Sequence, residues 1–151
     1  MQWNQKERDL LKDLKDQEQL CVDKYMRHAE NACDPQLKKL FSQLAQQEAR
    51  HLQTIHQMES GTVPQMQSGS GQQPAPAFTA AYTGDSKEKK NDCFLCSDVL
   101  ASEKHVSGLY DTSVFEFRDG QARNVLNHIQ KEEQEHGKQL YDYMTVNGMY
   151  Q

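Results

Sequence analysis

Two short segments of this chain, Glu48-Ala49-Arg50-His51 and Glu133-Gln134-Glu135-His136, place a histidine three residues after a glutamate. On a helix that spacing puts carboxylate and imidazole on one face. If the face is a core face, an unpaired glutamate there costs several kcal/mol or changes its protonation state. Acids kept at core positions in two places need partners, and oxygen-plus-imidazole donors on facing helices point to a pair of metal ions.

The rest of the ligand set comes from an internal repeat. Shifting the sequence by 85 residues superimposes Glu18 on Glu103, Tyr25 on Tyr110, Asp34 on Asp119, Gln36 on Gln121, Glu48 on Glu133 and His51 on His136. Core positions agree in type as well, for example Leu14 with Val99 and Leu44 with Ile129. In each half a glutamate lies 16 residues before the aspartate at the turn, and the Glu-x-x-His pair follows that aspartate by 14 and 17. At ~1.5 Å per residue the two arms of an antiparallel hairpin bring these groups to one level. Four carboxylates and two imidazoles converge: one glutamate from each of two helices and Glu-x-x-His from each of the others, the arrangement of dimetal carboxylate bundles. The expected ligands are Glu18, Glu48, His51, Glu103, Glu133 and His136, with Glu48 and Glu133 bridging by analogy. Two Fe or Mn ions suit these donors best, with Zn as a further option. Tyr25 and Tyr110, two turns along from Glu18 and Glu103, are placed to bond the ligand carboxylates from outside.

The elements that must position these groups are four helices. Apolar residues recurring at three and four predict a first helix from Asn4 to about Ala32, ended by Asn31-Ala32-Cys33-Asp34-Pro35. Asp34 can cap a second helix, with Pro35 at its first position, running to about Glu59 and stopped by Gly61. A third should start between Ser86 and Asp92 and reach Thr112 or beyond. After a break at Arg118-Asp119-Gly120, a fourth ends near Gly148. The Gln/Gly/Ser/Pro-rich text between the second and third helices is a linker. Its length exceeds the roughly 2 to 8 residues that join helices simply running up and down, so a crossover along the bundle is expected. The predicted fold is all-α: one domain built as a ferritin-like four-helix bundle, with hairpins at 4–60 and 89–148 and a crossover at 61–88.

Composition narrows the function classes. With 151 residues, a formal charge of -5 and no run of ~20 apolar residues, the chain lacks the basic field of a nucleic-acid binder and any helix to insert in a membrane. The start, Met1-Gln2-Trp3-Asn4-Gln5-Lys6-Glu7-Arg8, has no apolar signal core, which predicts synthesis in the cytosol and reduced cysteines. Cys93-x2-Cys96, expected at the start of the third helix, has the spacing of a redox pair, although Cys96 aligns with core Leu11, which favours a packing role. Glu59, Glu132 and Glu135 lie off the buried stripe and are expected in solvent. His28, His56, His105 and His128 lack partners in the repeat and are expected at the surface or its boundary.

The second half resembles the coat-F type spore coat proteins of endospore-forming bacteria. The likeness rests on Asn91-Asp92, Leu100-Ala101-Ser102-Glu103-Lys104-His105, Tyr110, Arg123-Asn124-Val125-Leu126, Glu132-Glu133-Gln134-Glu135-His136 and the ending Tyr143-Met144-Thr145-Val146-Asn147-Gly148-Met149-Tyr150. The first half reads more like rubrerythrin or another ferritin-like dimetal protein. The resemblance implies deposition in the spore coat among other coat proteins, and a homodimer is one expected assembly. Three readings stay open: a coat protein with a dinuclear site, an oxidoreductase of peroxidase, catalase or oxidase type acting on H2O2 or O2, and a structural coat component whose polar core holds no metal.

Overall fold

The computed structural model describes residues 2–66 and 76–150. These residues form four helices and no strand: α1 (Gln5–Asn31), α2 (Pro35–Glu59), α3 (Lys87–Glu116) and α4 (Gly120–Val146). Each start is capped by a short polar side chain that satisfies a free backbone N–H. Asn4 and Glu7 make a capping box on α1, Asp34 accepts from the Gln36 N–H with Pro35 behind it, Ser86 accepts from Lys89, and Asp119 from Ala122. The ends of α2 and α4 repeat one another. Gly61 (φ 95°) and Gly148 (φ 65°) occupy the left-handed position, where a side chain would be strained. The next amide, of Thr62 or Met149, returns to the carbonyl of Gln57 or Met144.

The helices pack as two antiparallel hairpins, α1 with α2 and α3 with α4, and α1 also lies against α3. Contacts between α1 and α3 run in opposite senses, from Lys6–Glu116 at one end to Lys24–Asp98 at the other. The start of α3 therefore lies by the α1–α2 turn, where Asp92 accepts from the Cys33 and Asp34 amides at 2.8 and 3.0 Å. The chain leaves α2 at the opposite end, so the connection is a crossover along the bundle. Its two described ends are held by the repeat-related glutamines: Gln121 donates to the Val63 carbonyl (3.3 Å), and Gln36 pairs with the Thr79 backbone (2.9 and 3.0 Å). Residues 67–75 of the expected 61–88 linker lie outside the described residues.

Buried apolar side chains fall into two clusters. One holds Leu37, Phe41, Leu44, Leu95, Leu100, Leu140 and Met144; the other holds Leu11, Leu14, Ile55, Met58, Val106, Val125 and Ile129. Each fully buried Leu or Phe contributes roughly 1.5–3 kcal/mol. On three helices the predicted ligands lie between the clusters: between Leu44 and Ile55 on α2, Leu100 and Val106 on α3, and Ile129 and Leu140 on α4; on α1 Glu18 lies between Leu14 and Cys21, near the end of the second cluster. The hydrophobic core is thus interrupted at mid-bundle by a polar layer. Leu10, Leu52, Leu109 and Val114, at the edges of these apolar faces, are only partly buried.

Candidate metal centre

All six predicted ligands are buried: Glu18 and Glu48 at 0% exposure, Glu133 at 1%, Glu103 and His51 at 3% and His136 at 4%. They form two overlapping groups. Glu18, Glu48, His51 and Glu133 make one; Glu48, Glu103, Glu133 and His136 make the other, with donor atoms in each group within 4.8 Å of one another. Glu48 and Glu133 belong to both, the place a bridging carboxylate must have. No thiol enters either group.

The geometry follows the repeat across an approximate two-fold axis. His51 Nδ1 lies 2.8 Å from Glu133 Oε1, and His136 Nδ1 lies 2.8 Å from Glu48 Oε1, so each imidazole faces the glutamate of the opposite hairpin. The two rings stack at 5.7 Å between centroids. The tyrosines cross over as well. Tyr25 donates to Glu103 Oε1 at 2.6 Å and Tyr110 to Glu18 Oε1 at 2.7 Å, so each hydroxyl serves the carboxylate of the other hairpin. Burial pushes both phenols well above their usual range, which keeps them as donors.

Without metal the layer holds protons. Burial drives the carboxyls of Glu18 and Glu133 well above the usual carboxylate range, and the adjacent Glu48 and Glu103 respectively reinforce this. Burial would raise Glu48 too, but Glu18, His136 and His51 around it hold it below that range. Burial opposes charge on the imidazoles. Even so, Glu132, Glu48 and Glu18 push His51 up to about 10, and Glu103 and Glu48 push His136 up to about 9. Three carboxylate oxygens, Glu18 Oε2, Glu103 Oε2 and Glu133 Oε2, are buried with no hydrogen-bond partner. Such atoms are costly to leave unpaired. Displacing the protons with two divalent cations would satisfy all three, and the hard oxygen and imidazole donors fit Fe or Mn.

Glu132 departs from expectation. It is half-buried at the junction of α2 and α4 and accepts from His51 Nε2 at 3.0 Å, with His128 3.2 Å away on its other side. A carboxylate behind the outer imidazole nitrogen fixes the tautomer and raises the basicity of the inner one. The repeat puts Gln47 at the corresponding position, and among the described residues no carboxylate pairs with His136 Nε2. Glu59 also has partners, Lys15 at 3.0 Å and His56 at 3.7 Å, and His28 lies 2.8 Å from Asp98.

Cys93 and Cys96 stand away from this chemistry. α3 begins six residues before Cys93, so neither Cys93 nor Cys96 sits in the first turn, where a helix terminus would lower a thiol pKa. Cys96 is fully buried, and burial pushes its thiol up; Cys93 Sγ lies 3.8 Å from the Met149 carbonyl. Cys21, one turn past Glu18, is buried beside the carboxylates, and its thiol is also pushed up, first by burial and then by Glu48 and Glu18. A second polar cluster, which helical periodicity does not reveal, lies near the α1–α2 turn. There Asp92 accepts from two amides and from Tyr82 (2.7 Å), Tyr143 donates to Asp34 (2.7 Å), and Asn147 accepts from the Ala81 amide (2.8 Å). The signal was present in Asn91-Asp92 and Asn147-Gly148, polar pairs bracketing the second hairpin.

Residues 91–151 match the family model of the Coat F domain, which takes in α3 from Asn91 and all of α4. No curated protein and no solved structure matches the chain. No helix among the described residues is long and apolar enough to cross a membrane.

Proposed function

We propose that this chain is a ferritin-like spore coat protein whose bundle holds two Fe or Mn ions in the polar layer. The metal reading is carried by one observation: Glu48 and Glu133 are common to both ligand groups. Glu18 and His51 would complete one position, and Glu103 and His136 the other. Placement in the coat, among other coat proteins, is supported by the Coat F match over the second hairpin.

Fe or Mn bound there supplies redox chemistry toward H2O2 or O2, which makes an oxidoreductase the natural extension of this reading. The chain's own residues supply four carboxyl groups whose charge would balance two divalent ions once their protons leave, present imidazole Nδ1 atoms to the interior, and flank the layer with apolar clusters on either side. Tyr25 and Tyr110 fix the terminal carboxylates. A second reading, a coat component with a metal-free polar core, is favoured by the two 2.8 Å imidazole–carboxylate contacts that hold the layer together without an ion.

Elemental analysis of protein produced with Fe or Mn supplied decides between them. The dimetal reading expects about two ions per chain, lost in Glu48→Ala/Glu133→Ala. Less than about 0.2 ion per chain, unchanged in the double variant, leaves the metal-free core. In protein that retains metal, catalase and peroxidase assays separate an enzyme from a metal-stabilised scaffold.

A further inference from the structure

Each hairpin carries a groove between its two helices at the level of the polar layer. The groove between α3 and α4, about 610 Å³, is lined in part by Leu100, Lys104, Gln134, Gly137, Lys138 and Tyr141. The groove between α1 and α2, about 430 Å³, is lined in part by Lys15, Gln19, Ala49, Leu52, Gln53 and His56. Under the 85-residue offset these are the same six positions. The grooves differ at their floors. Glu103 and Glu133 line the α3–α4 groove, whereas neither Glu18 nor Glu48 lines the other.

Sequence differences at the floor account for this. Leu52 on α2 is replaced by Gly137 on α4, immediately after His136 and four residues beyond Glu133. A Cβ built on Gly137 would meet nothing nearer than Leu100 Cδ1 at 3.8 Å, so no packing requirement explains the missing side chain. On the opposing helix Ser107 and Gly108 stand where the first half has Val22 and Asp23. The two glutamates at this floor hold two of the three buried carboxylate oxygens of the layer that have no hydrogen-bond partner, an independent sign that something belongs beside them; the third, Glu18 Oε2, lies on the side without an open floor.

Resting on the dimetal reading above, we propose that a small ligand reaches the Glu103–His136 position through the α3–α4 groove, past Glu103 and Glu133, and that Gly137 keeps this approach open. The walls set the ligand class. Leu100, Ser107, the glycines, Gln130 and Gln134 are uncharged, Lys104 and Asp111 carry opposite charges, and Lys138 is paired with Asp142 at 2.8 Å, so the walls above Glu103 and Glu133 bring no net charge. A small ligand the size of peroxide or azide suits such a passage. The Glu18–His51 position, behind Leu52 and backed by Glu132, serves as the closed one.

The test uses full-length protein loaded with Co(II), metal content measured by elemental analysis and azide binding followed by stopped-flow absorbance. In Gly137→Leu, metal content should match wild type while azide association slows by about tenfold or more. Leu52→Ala, which trims the opposite groove, should keep the wild-type rate. A wild-type rate in fully loaded Gly137→Leu overturns the proposal, as does an equal slowing in Leu52→Ala. If Gly137→Leu loses metal, Gly137→Ala decides, since its added methyl makes only an ordinary contact: slower azide binding supports the approach, and an unchanged rate overturns it. Failure of the wild type to take up Co(II), Fe or Mn would remove the dimetal reading itself, and this proposal with it; the other negative outcomes leave that reading intact.

Discussion

The Tyr25 hydroxyl, on α1, donates to Glu103 on α3 at 2.6 Å, while the glutamate on Tyr25's own helix is served by Tyr110. Because the other oxygen of Glu103 has no partner, Tyr25→Phe strips the carboxylate of its only neutral donor. The metal-free variant should lose about 1–3 kcal/mol, read as a lower melting temperature. Affinity at the Glu103–His136 position should fall roughly 10- to 100-fold. Wild-type melting together with an unchanged metal titration would show that this hydrogen bond supports neither property.

Glu132 would make the two proposed metal positions unequal. Glu132→Gln removes the anion behind His51 Nε2 and should weaken one of two bound ions by about tenfold, splitting a metal titration into two phases or widening an existing split. Equal weakening of both ions would rule out a role confined to His51.

Metal should change how stability depends on pH. His51 and His136, held at about 10 and about 9 against 6.5, bind protons more tightly when folded. Their contribution is complete below the unfolded value and is lost as pH rises through about 9 to 10. Glu18 and Glu133, raised above 4.5, act in the same direction, with loss beginning nearer that value. Glu48, lowered, does the reverse, its contribution present above 4.5 and lost on acidification. Four groups against one, the metal-free protein should melt lower at about pH 10 than at about pH 6.5. Metal replaces those protons, so the gap between loaded and chelator-treated melting temperatures should widen with pH. A gap that narrows would mean the ions bind elsewhere.

Asp92, fully buried, collects two amides of the α1–α2 turn and the Tyr82 hydroxyl. Asp92→Ala leaves three donors unsatisfied and should cost roughly 2–5 kcal/mol. Faster amide exchange at Cys33 and Asp34 would accompany the loss. Asp92→Asn, which keeps the shape and an acceptor, should lose less.

The helices were legible because their boundaries use local chemistry: Asp34 with Pro35, Asp119, Gly61 and Gly148 act within a turn of where they stand. The convergence of the six candidate ligands was legible for a different reason, since a repeat filters accidental acids. It selected Glu133 from a run that also holds Glu132 and Glu135. The same filter hid Glu132, whose value lies in breaking the repeat and whose partner comes from another helix. Nor could one helix's periodicity show that Tyr25 answers to Glu103, which depends on α1 and α3 running antiparallel. The cluster of Asp92, Tyr143 and Asn147 was missed because its partners lie in the linker and the α1–α2 turn, where no periodicity exists to read.

The crossover matters beyond connecting two hairpins. Two identical hairpins associating about a two-fold axis would have to present the same residue at both faces, so any change that opened one would open the other. Covalent continuity removes that obligation. With both halves in a single chain, leucine can seal one flank while glycine parts the other, and one imidazole can gain an anionic brace that its twin does without. The linker thus gives the halves licence to specialise, turning a symmetric cage of ligands into one with a front and a back.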